Sequence, residues 1–463
     1  MKRPSWTRYA ALLIAAASVI VAAVVLVRPH RGRPNVLLVV IDSLRADRLG
    51  AYGSSKGLTP FLDALAGESL VYENAYATTS WTIPSVASMF LASYPSEHGV
   101  TGFYSHIPKD AVTLAEVLRT QRMATVAFTA NASVQPAAGF AIGFERFDNI
   151  GTPTMFNPKS DGKLLTRAVL DWRSTAPPKP FFAYLHFMDV HAPYGIHKGI
   201  TAPRAANVGR SDADLNTHIM TAAWEKEEAD RVRKWTLSAT ENARLQQLYD
   251  GEVLYIDSVV AQLFRVLERR GDLANTLVIV TADHGEEFGE HGAFSHGASL
   301  YQSAIRVPLI VRLPGQREGA RMTTPVSLAG LGPAIIKLLG IAVPPSFHAE
   351  PIPFRADGAP AGADATAYTE LLPSQMAIRM HQHALLTTSS KLLETPAGEF
   401  ESYDLAADPL EQHRLEKTDN ELRVALLEVR SRLESRQTAQ HTVEIDEATR
   451  QRLHDVGYFP DKH

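Results

Sequence analysis

The sequence predicts an α/β protein: a central, mostly parallel sheet flanked by helices, with a small C-terminal α+β subdomain. Three observations lead there. Continuous apolar runs recur along the chain with helical patterns between them, which is how strands buried on both faces alternate with covering helices. Two of those runs end in an aspartate, where open α/β sheets place their ligands. Beyond residue 341 the pattern changes to short hairpin-like segments and one charged helix.

The first element is a tail, 1–8, with Lys2, Arg3 and Arg8, followed by nineteen uncharged residues from Tyr9 to Val27. As a helix this run would reach about 28 Å, close to a bilayer core of about 30 Å. It therefore reads as a membrane anchor (9–27) with a cytoplasmic tail, or as a signal segment, although signal cores are usually shorter. Arg28, Arg31 and Arg33 come after the span and nearly balance the charges before it, but an anchor this close to the N-terminus usually exports the chain beyond it. The body is expected outside the cytoplasm, periplasmic or extracellular.

Composition limits what that body does. Of 463 residues 45% are hydrophobic and the net charge is −4, so the chain is a large folded protein without the basic excess that nucleic acid would require. There is no cysteine, which leaves a hydroxyl, carboxylate, imidazole or bound water as the only available nucleophile.

The catalytic body is expected over 34–341. Its strands are "NVLLVVIDS" (35–43), "ATVAFTA" (124–130), "PFFAYLHFMDV" (180–190), "TLVIVTADH" (276–284) and "VPLIVRLPG" (307–315). Helical patterns include "TPFLDALAGES", "VTLAEVLRTQR" and "YIDSVVAQLFRVLERRG". A polar stretch from about 200 to 245 reads as a helical insertion with a solvated face. The Pro/Ala/Gly-rich segment 342–365 reads as a junction, so 342–463 is expected to form the C-terminal subdomain and helix, "NELRVALLEVRSRLESR".

The densest chemistry lies in "TADHGEEFGEHGAFSHG" (281–297). Asp283 and His284, adjacent at a strand end, can both turn onto one divalent ion, since carboxylate and imidazole ligands each approach at about 2.0–2.2 Å. Asp42, at the end of the first strand, would add a third ligand. Glu286, Glu287, Glu290 and His291 read instead as surface charge. In "HFMDVHAPY", Asp189 and His191 would share a face if the strand continued. His191 and His296 are candidates for holding the anionic oxygens of a substrate, protonating a leaving group or binding a second ion.

These stretches, together with "YENAYATTSWTIPSVASMFLASYPSEHGV", "DGEVLYIDSVV", "YQSAIRVPLIVRLPG" and "YDLAADPLE", closely resemble in order the landmarks of the sulfatase family, within the alkaline phosphatase superfamily. The resemblance runs from about residue 34 to the terminal "LHDVGYFPD". It implies an alkaline phosphatase-like fold, a divalent metal (Ca, Mn, Mg or Zn) and ester hydrolysis. By that resemblance Asp42 and Asp283 match metal aspartates, Ser43 replaces a second aspartate, and His284 stands where many sulfatases have asparagine. The nucleophile motif reads Thr82, Ile83, Pro84, Ser85, Val86, with threonine in the place of cysteine or serine. The usual sulfate-contacting lysine and histidine are missing from "FTANASV", where Asn131 is the polar candidate for substrate, and His296 replaces a lysine.

A threonine would give a ketone at best in the maturation that produces the sulfatase aldehyde. Thr82 is therefore expected to act unmodified, as a metal-bound alkoxide, with Asp42, Asp283 and His284 as the other ligands. Ser85 is expected to cap the helix begun by "SVASMF". The substrates implied are sulfate or phosphate esters of a small molecule, lipid or glycan. Two alternatives stand beside the hydrolase: an envelope phosphotransferase that moves a head group through Thr82, and an inactive protein that binds anionic ligands.

Overall fold

The computed structural model describes residues 32–150, 161–222, 237–354, 365–373 and 381–437. The expected anchor at 9–27, the charged stretch "KEEADRVRKW" of the insertion and the terminal "LHDVGYFPD" lie outside them. Among the described residues no helix is long and apolar enough to cross a membrane.

An eight-stranded sheet organises the catalytic body. In chain order its strands are β1 (Asn35–Ile41), β2 (Leu70–Tyr72), β3 (Ala124–Thr129), β4 (Arg146–Asn149), β5 (Phe181–Phe187), β6 (Thr276–Thr281), β7 (Leu309–Arg312) and β8 (Ala320–Met322). Strand β1 sits between β5 and β6 and runs parallel to both. Strands β3 and β4 extend the parallel array beyond β5. On the other side β7 lies antiparallel to β6 and β2, and β8 pairs parallel with β2. The expected mostly parallel α/β sheet is present, and the one antiparallel member is the run "VPLIVRLPG".

The apolar runs form strands because both faces are covered. Val36 to Ile41 are all buried, and each such side chain contributes about 1.5–3 kcal/mol. This fixes the end of β1, and with it Asp42, against movement. Helix α1 (Thr82–Leu91) covers one face, where Phe90 meets Tyr184 of β5 at 4.9 Å between ring centroids. Helix α2 (Gly162–Thr175) covers the other, where Trp172 meets Phe181 at 5.6 Å. The long helix α3 (Ala239–Arg269) packs beside α2. It begins in a capping box formed by Ser238 and Glu241.

The C-terminal sheet is an antiparallel meander of Ala367–Leu371, Gln382–Leu386, Ser390–Glu394 and Phe400–Asp404. Helix α4 (Asn420–Glu434) closes it through a small core of Leu422, Leu426 and Leu433 against Tyr368, Leu385 and Leu392. The junction is more integrated than its composition suggests. Phe347, Ile352 and Phe354 belong to the main core, and Ile352 N donates to Gly330 O at 3.1 Å. Strand Ala367–Leu371 reaches the segment before α1, where Glu370 N donates to Thr78 O at 2.9 Å.

Candidate functional site

The site forms where β1 and β6 end. Val40 pairs with Thr281, so Asp42 and Asp283, two residues further along each strand, stand level with one another. One ligand atom from each of Asp42, Asp283 and His284 falls within 4.8 Å of the others, and all three residues are fully buried. Ser43 ties the carboxylates together from a left-handed backbone conformation (φ 58°). Its N–H donates to Asp283 Oδ1 at 3.3 Å and its hydroxyl to Asp42 Oδ1 at 3.2 Å. Asp283 Oδ2 accepts no hydrogen bond, and among the described residues no lysine or arginine pairs with either aspartate. Two buried carboxylates without a fixed cation cost several kcal/mol each. This donor set fits a divalent ion.

Helix α1 brings Thr82 to the same place. Thr82 is its first residue, 3% exposed, and Thr82 Oγ lies 3.2 Å from His284 Nε2. His284 Nδ1 donates to Gly285 O at 2.8 Å, which leaves Nε2 bare toward Thr82 and the aspartates. Being in the first turn also places the hydroxyl in the positive end of the helix dipole, which favours an alkoxide there. Ser85 does not cap this helix. The N-cap is Trp81, with no side-chain bond, and Ser85 Oγ donates to Asp283 O at 2.6 Å, pinning α1 to the end of β6.

Two further imidazoles and a carboxylate complete the cluster beside His284. His296 Nδ1 is 2.9 Å from Glu286 Oε1, and Tyr194 OH donates to Glu286 Oε2 at 3.0 Å. The His296 ring lies 4.4 Å from that of His284 and 4.9 Å from that of His191, centroid to centroid. Burial opposes the charge on His296, but Glu286 outweighs it and raises the imidazole above its ordinary value. Burial likewise opposes the charge on Glu286, and His296 outweighs it, so that carboxyl is lowered. His191 is lowered because its burial prevails over the attraction of Asp42. For Asp42, burial is overcome by the surrounding imidazoles of His186, His191 and His284, and the carboxyl is held well below the usual range.

Several expectations need correction. Asn131 is fully buried and used within the protein: Nδ2 donates to Asp42 Oδ2 at 2.6 Å, and Oδ1 accepts from Ser133 N and Val134 N. There it orients the Asp42 carboxylate. Asp189 and His191 do not share a face, because β5 ends at Phe187. Asp189 turns to the start of α2, accepting from Gly162 N at 2.9 Å, while His191 enters the site. Glu286 and Glu287 are not surface charges but fully buried, Glu287 accepting from Ser299 Oγ. Glu290 pairs with the buried Arg45, and His291 stacks on Tyr301. His186 was missed, because it lies inside the apolar run of β5, yet its Nε2 is 3.2 Å from Asp42 Oδ2.

A helix N-terminus carrying a hydroxyl faces buried carboxylates and imidazoles at the strand ends of an α/β sheet, and Asp42, Asp283 and His284 form a possible metal site. The chain belongs to the sulfatase family: the family model described as Sulfatase matches residues 34–341. It is a hydrolase acting on sulfuric or phosphoric esters. Among its relatives is an N-acetylglucosamine-6-O-sulfatase of Bacteroides thetaiotaomicron, 22% identical over 462 residues that take in 83% of this chain and 82% of the relative. The fold is shared with a protein solved in complex with its substrate D-glucosamine-2-N,6-O-disulfate (TM-score 0.71, 19% identity, 87% of this chain and 98% of that one). It is also shared with a phosphonate monoester hydrolase of Agrobacterium radiobacter (TM-score 0.67, 20% identity, 87% and 95%).

Proposed function

We propose that this enzyme cleaves sulfate or phosphate esters with unmodified Thr82 as the nucleophile, in a site that holds one divalent cation. The observation that carries the reading is the placement of Thr82 Oγ, at the start of α1 and 3.2 Å from His284 Nε2, beside the buried Asp42 and Asp283. Asp42, Asp283 and His284 would hold the cation. When bound, it would lower the pKa of the Thr82 hydroxyl, whose proton passes to water, and offset charge on the substrate oxygens.

The remaining steps belong to side chains. Thr82 Oγ attacks sulfur or phosphorus, forming a covalent Thr82 ester as the bond to the leaving oxygen breaks. His296, whose pKa Glu286 raises, gives its proton to that oxygen, and His191, lowered by burial, flanks it. Water then attacks the Thr82 ester, His296 recovers a proton from it, and sulfate or phosphate leaves. Asn131 and Ser43 hold the Asp42 carboxylate in place throughout.

The relatives named above include one that acts on a sulfated sugar and one that acts on phosphonate monoesters, which supports testing both substrate classes here. The uncharged run Tyr9–Val27 supports attachment to a membrane with the body outside the cytoplasm. The deciding experiment incubates cation-loaded protein with an aryl sulfate, a phosphate monoester and a phosphodiester, and tracks the peptide 80–90 by mass spectrometry. A mass gain of one sulfuryl or phosphoryl group on Thr82 is expected, lost in Thr82→Ala. Turnover undiminished in Thr82→Ala would remove Thr82 from the mechanism.

A further inference from the structure

Two imidazoles, not one, face the carboxylate pair. His284 approaches from the loop after β6, with Nε2 at 3.5 Å from Asp42 Oδ1 and 3.6 Å from Asp283 Oδ2. His186 approaches from within β5, in register with Val40 of β1, with Nε2 at 3.2 Å from Asp42 Oδ2 and 3.8 Å from Asp283 Oδ2. Both rings are fully buried.

The surroundings of His186 are those of a ligand. Its Nε2 makes no aligned hydrogen bond, although it is aimed between two carboxylates. An N–H there would be expected to straighten onto one of them, and Asp42 Oδ2 already accepts from Asn131 Nδ2 at 2.6 Å. The other ring nitrogen, Nδ1, lies 2.8 Å from Tyr184 OH, on the same face of β5 and also fully buried. His284 has the matching arrangement, with Nδ1 bound to Gly285 O. A neutral oxygen on Nδ1 and a bare Nε2 directed at carboxylates is how an outer partner fixes a metal-binding histidine.

We infer that His186 is a further ligand of the cation held by Asp42, Asp283 and His284, with Tyr184 fixing its ring. The inference rests on the metal reading given above and extends it to the kind of ion. Two imidazole nitrogens with two carboxylates suit a zinc-class ion; calcium takes six to eight oxygens, and magnesium retains waters in an all-oxygen shell.

The test uses the full chain and its His186→Gln and Tyr184→Phe variants, titrated with zinc, cobalt and calcium. Wild type should take up zinc against a large excess of calcium. Its cobalt form should show two strongly shifted, exchangeable ring N–H signals by NMR, one from each imidazole. His186→Gln should lose one signal and bind zinc about 100-fold more weakly, and Tyr184→Phe should keep both rings but bind zinc roughly tenfold more weakly. Tyr184→Phe carries the test if His186→Gln fails to fold. A single shifted N–H in wild type, or His186→Gln with unchanged cobalt spectrum and zinc affinity, overturns the inference and leaves the metal site standing. Wild type that takes up no divalent ion overturns both.

Discussion

Thr82 Oγ and His284 Nε2 lie 3.2 Å apart, and this contact joins the first turn of a helix to the end of a central strand. Neither partner can drift. Ser85 holds α1 to the backbone of Asp283, and the Gly285 carbonyl holds the His284 ring. The hydroxyl is therefore preorganised, and its chemistry can be separated from its packing.

Thr82→Val keeps the branched shape and deletes only the hydroxyl. Steady-state kinetics on the best ester substrate should show kcat/KM falling at least about 10³-fold, roughly 4 kcal/mol of transition-state stabilisation. The melting temperature should stay within a few degrees of wild type. Thr82→Ser, which keeps the oxygen, should retain most activity; equal losses in both variants would assign the effect to packing.

Cation removal should weaken the fold as well as the reaction, because Asp42 and Asp283 are buried and, among the described residues, have no lysine or arginine partner. A divalent ion at one hundred times its Kd adds about 2.7 kcal/mol. For a protein of this size that is a rise of about 3–4 °C in Tm relative to chelator-treated protein. Scanning fluorimetry should show the rise in wild type and its absence in Asp283→Asn. An equal rise in both would place the cation elsewhere.

The same physics displayed part of the site in the sequence and concealed the rest. The runs ending in Asp42 and Asp283 were legible because a strand buried on both faces must be continuously apolar, and a carboxylate at its end stands out. His186 was concealed for the same reason: inside "PFFAYLHFMDV" a histidine looks like one more core residue. Glu286 was concealed by its charged neighbours. Nothing in "HGEEFGEHG" says that Tyr194 and His296 will enclose one glutamate while Arg45 meets another. Asp189 and Ser85 were misplaced because the end of a strand and the start of a helix are set by tertiary contacts to α2 and β6, which local patterns do not encode.

Lys391 should be among the costliest residues to change outside the site. Fully buried in the C-terminal sheet, it pairs with Glu411 and donates to Leu300 O at 2.6 Å; Glu411 Oε2 in turn accepts from Gln302 N. The pair ties the subdomain to the loop behind Glu287. Lys391→Met leaves Glu411 charged, buried and unpaired, at a cost of about 3–5 kcal/mol in urea unfolding. Adding Glu411→Gln, whose amide oxygen can still accept from Gln302 N, should recover at least half of it. A double variant as unstable as the single one would mean that the packing of Lys391, not its charge, matters.

Glu370 should make stability fall as pH rises. Burial, aided by the nearby charge of Glu97, lifts its carboxyl from 4.5 to about 7 despite the hydrogen bonds from Ser96 N and Tyr368 OH. A raised carboxyl binds its proton more tightly in the folded state. Its contribution is therefore complete below about pH 4.5 and is lost as pH climbs to about 7, a change of about 3 kcal/mol. His383, 2.7 Å from Tyr368 OH, works in the opposite direction. Burial lowers it to about 3, so its contribution is present above its ordinary 6.5 and is lost as pH falls. The two slopes overlap between pH 4.5 and 6.5, so the wild-type curve alone does not isolate Glu370. The difference between wild type and Glu370→Gln does. Urea midpoints taken from pH 4.5 to 8 should show the variant gaining on wild type steadily up to about pH 7 and holding a constant advantage beyond it. A difference that does not change with pH would show that Glu370 is ionised in the folded protein throughout the range.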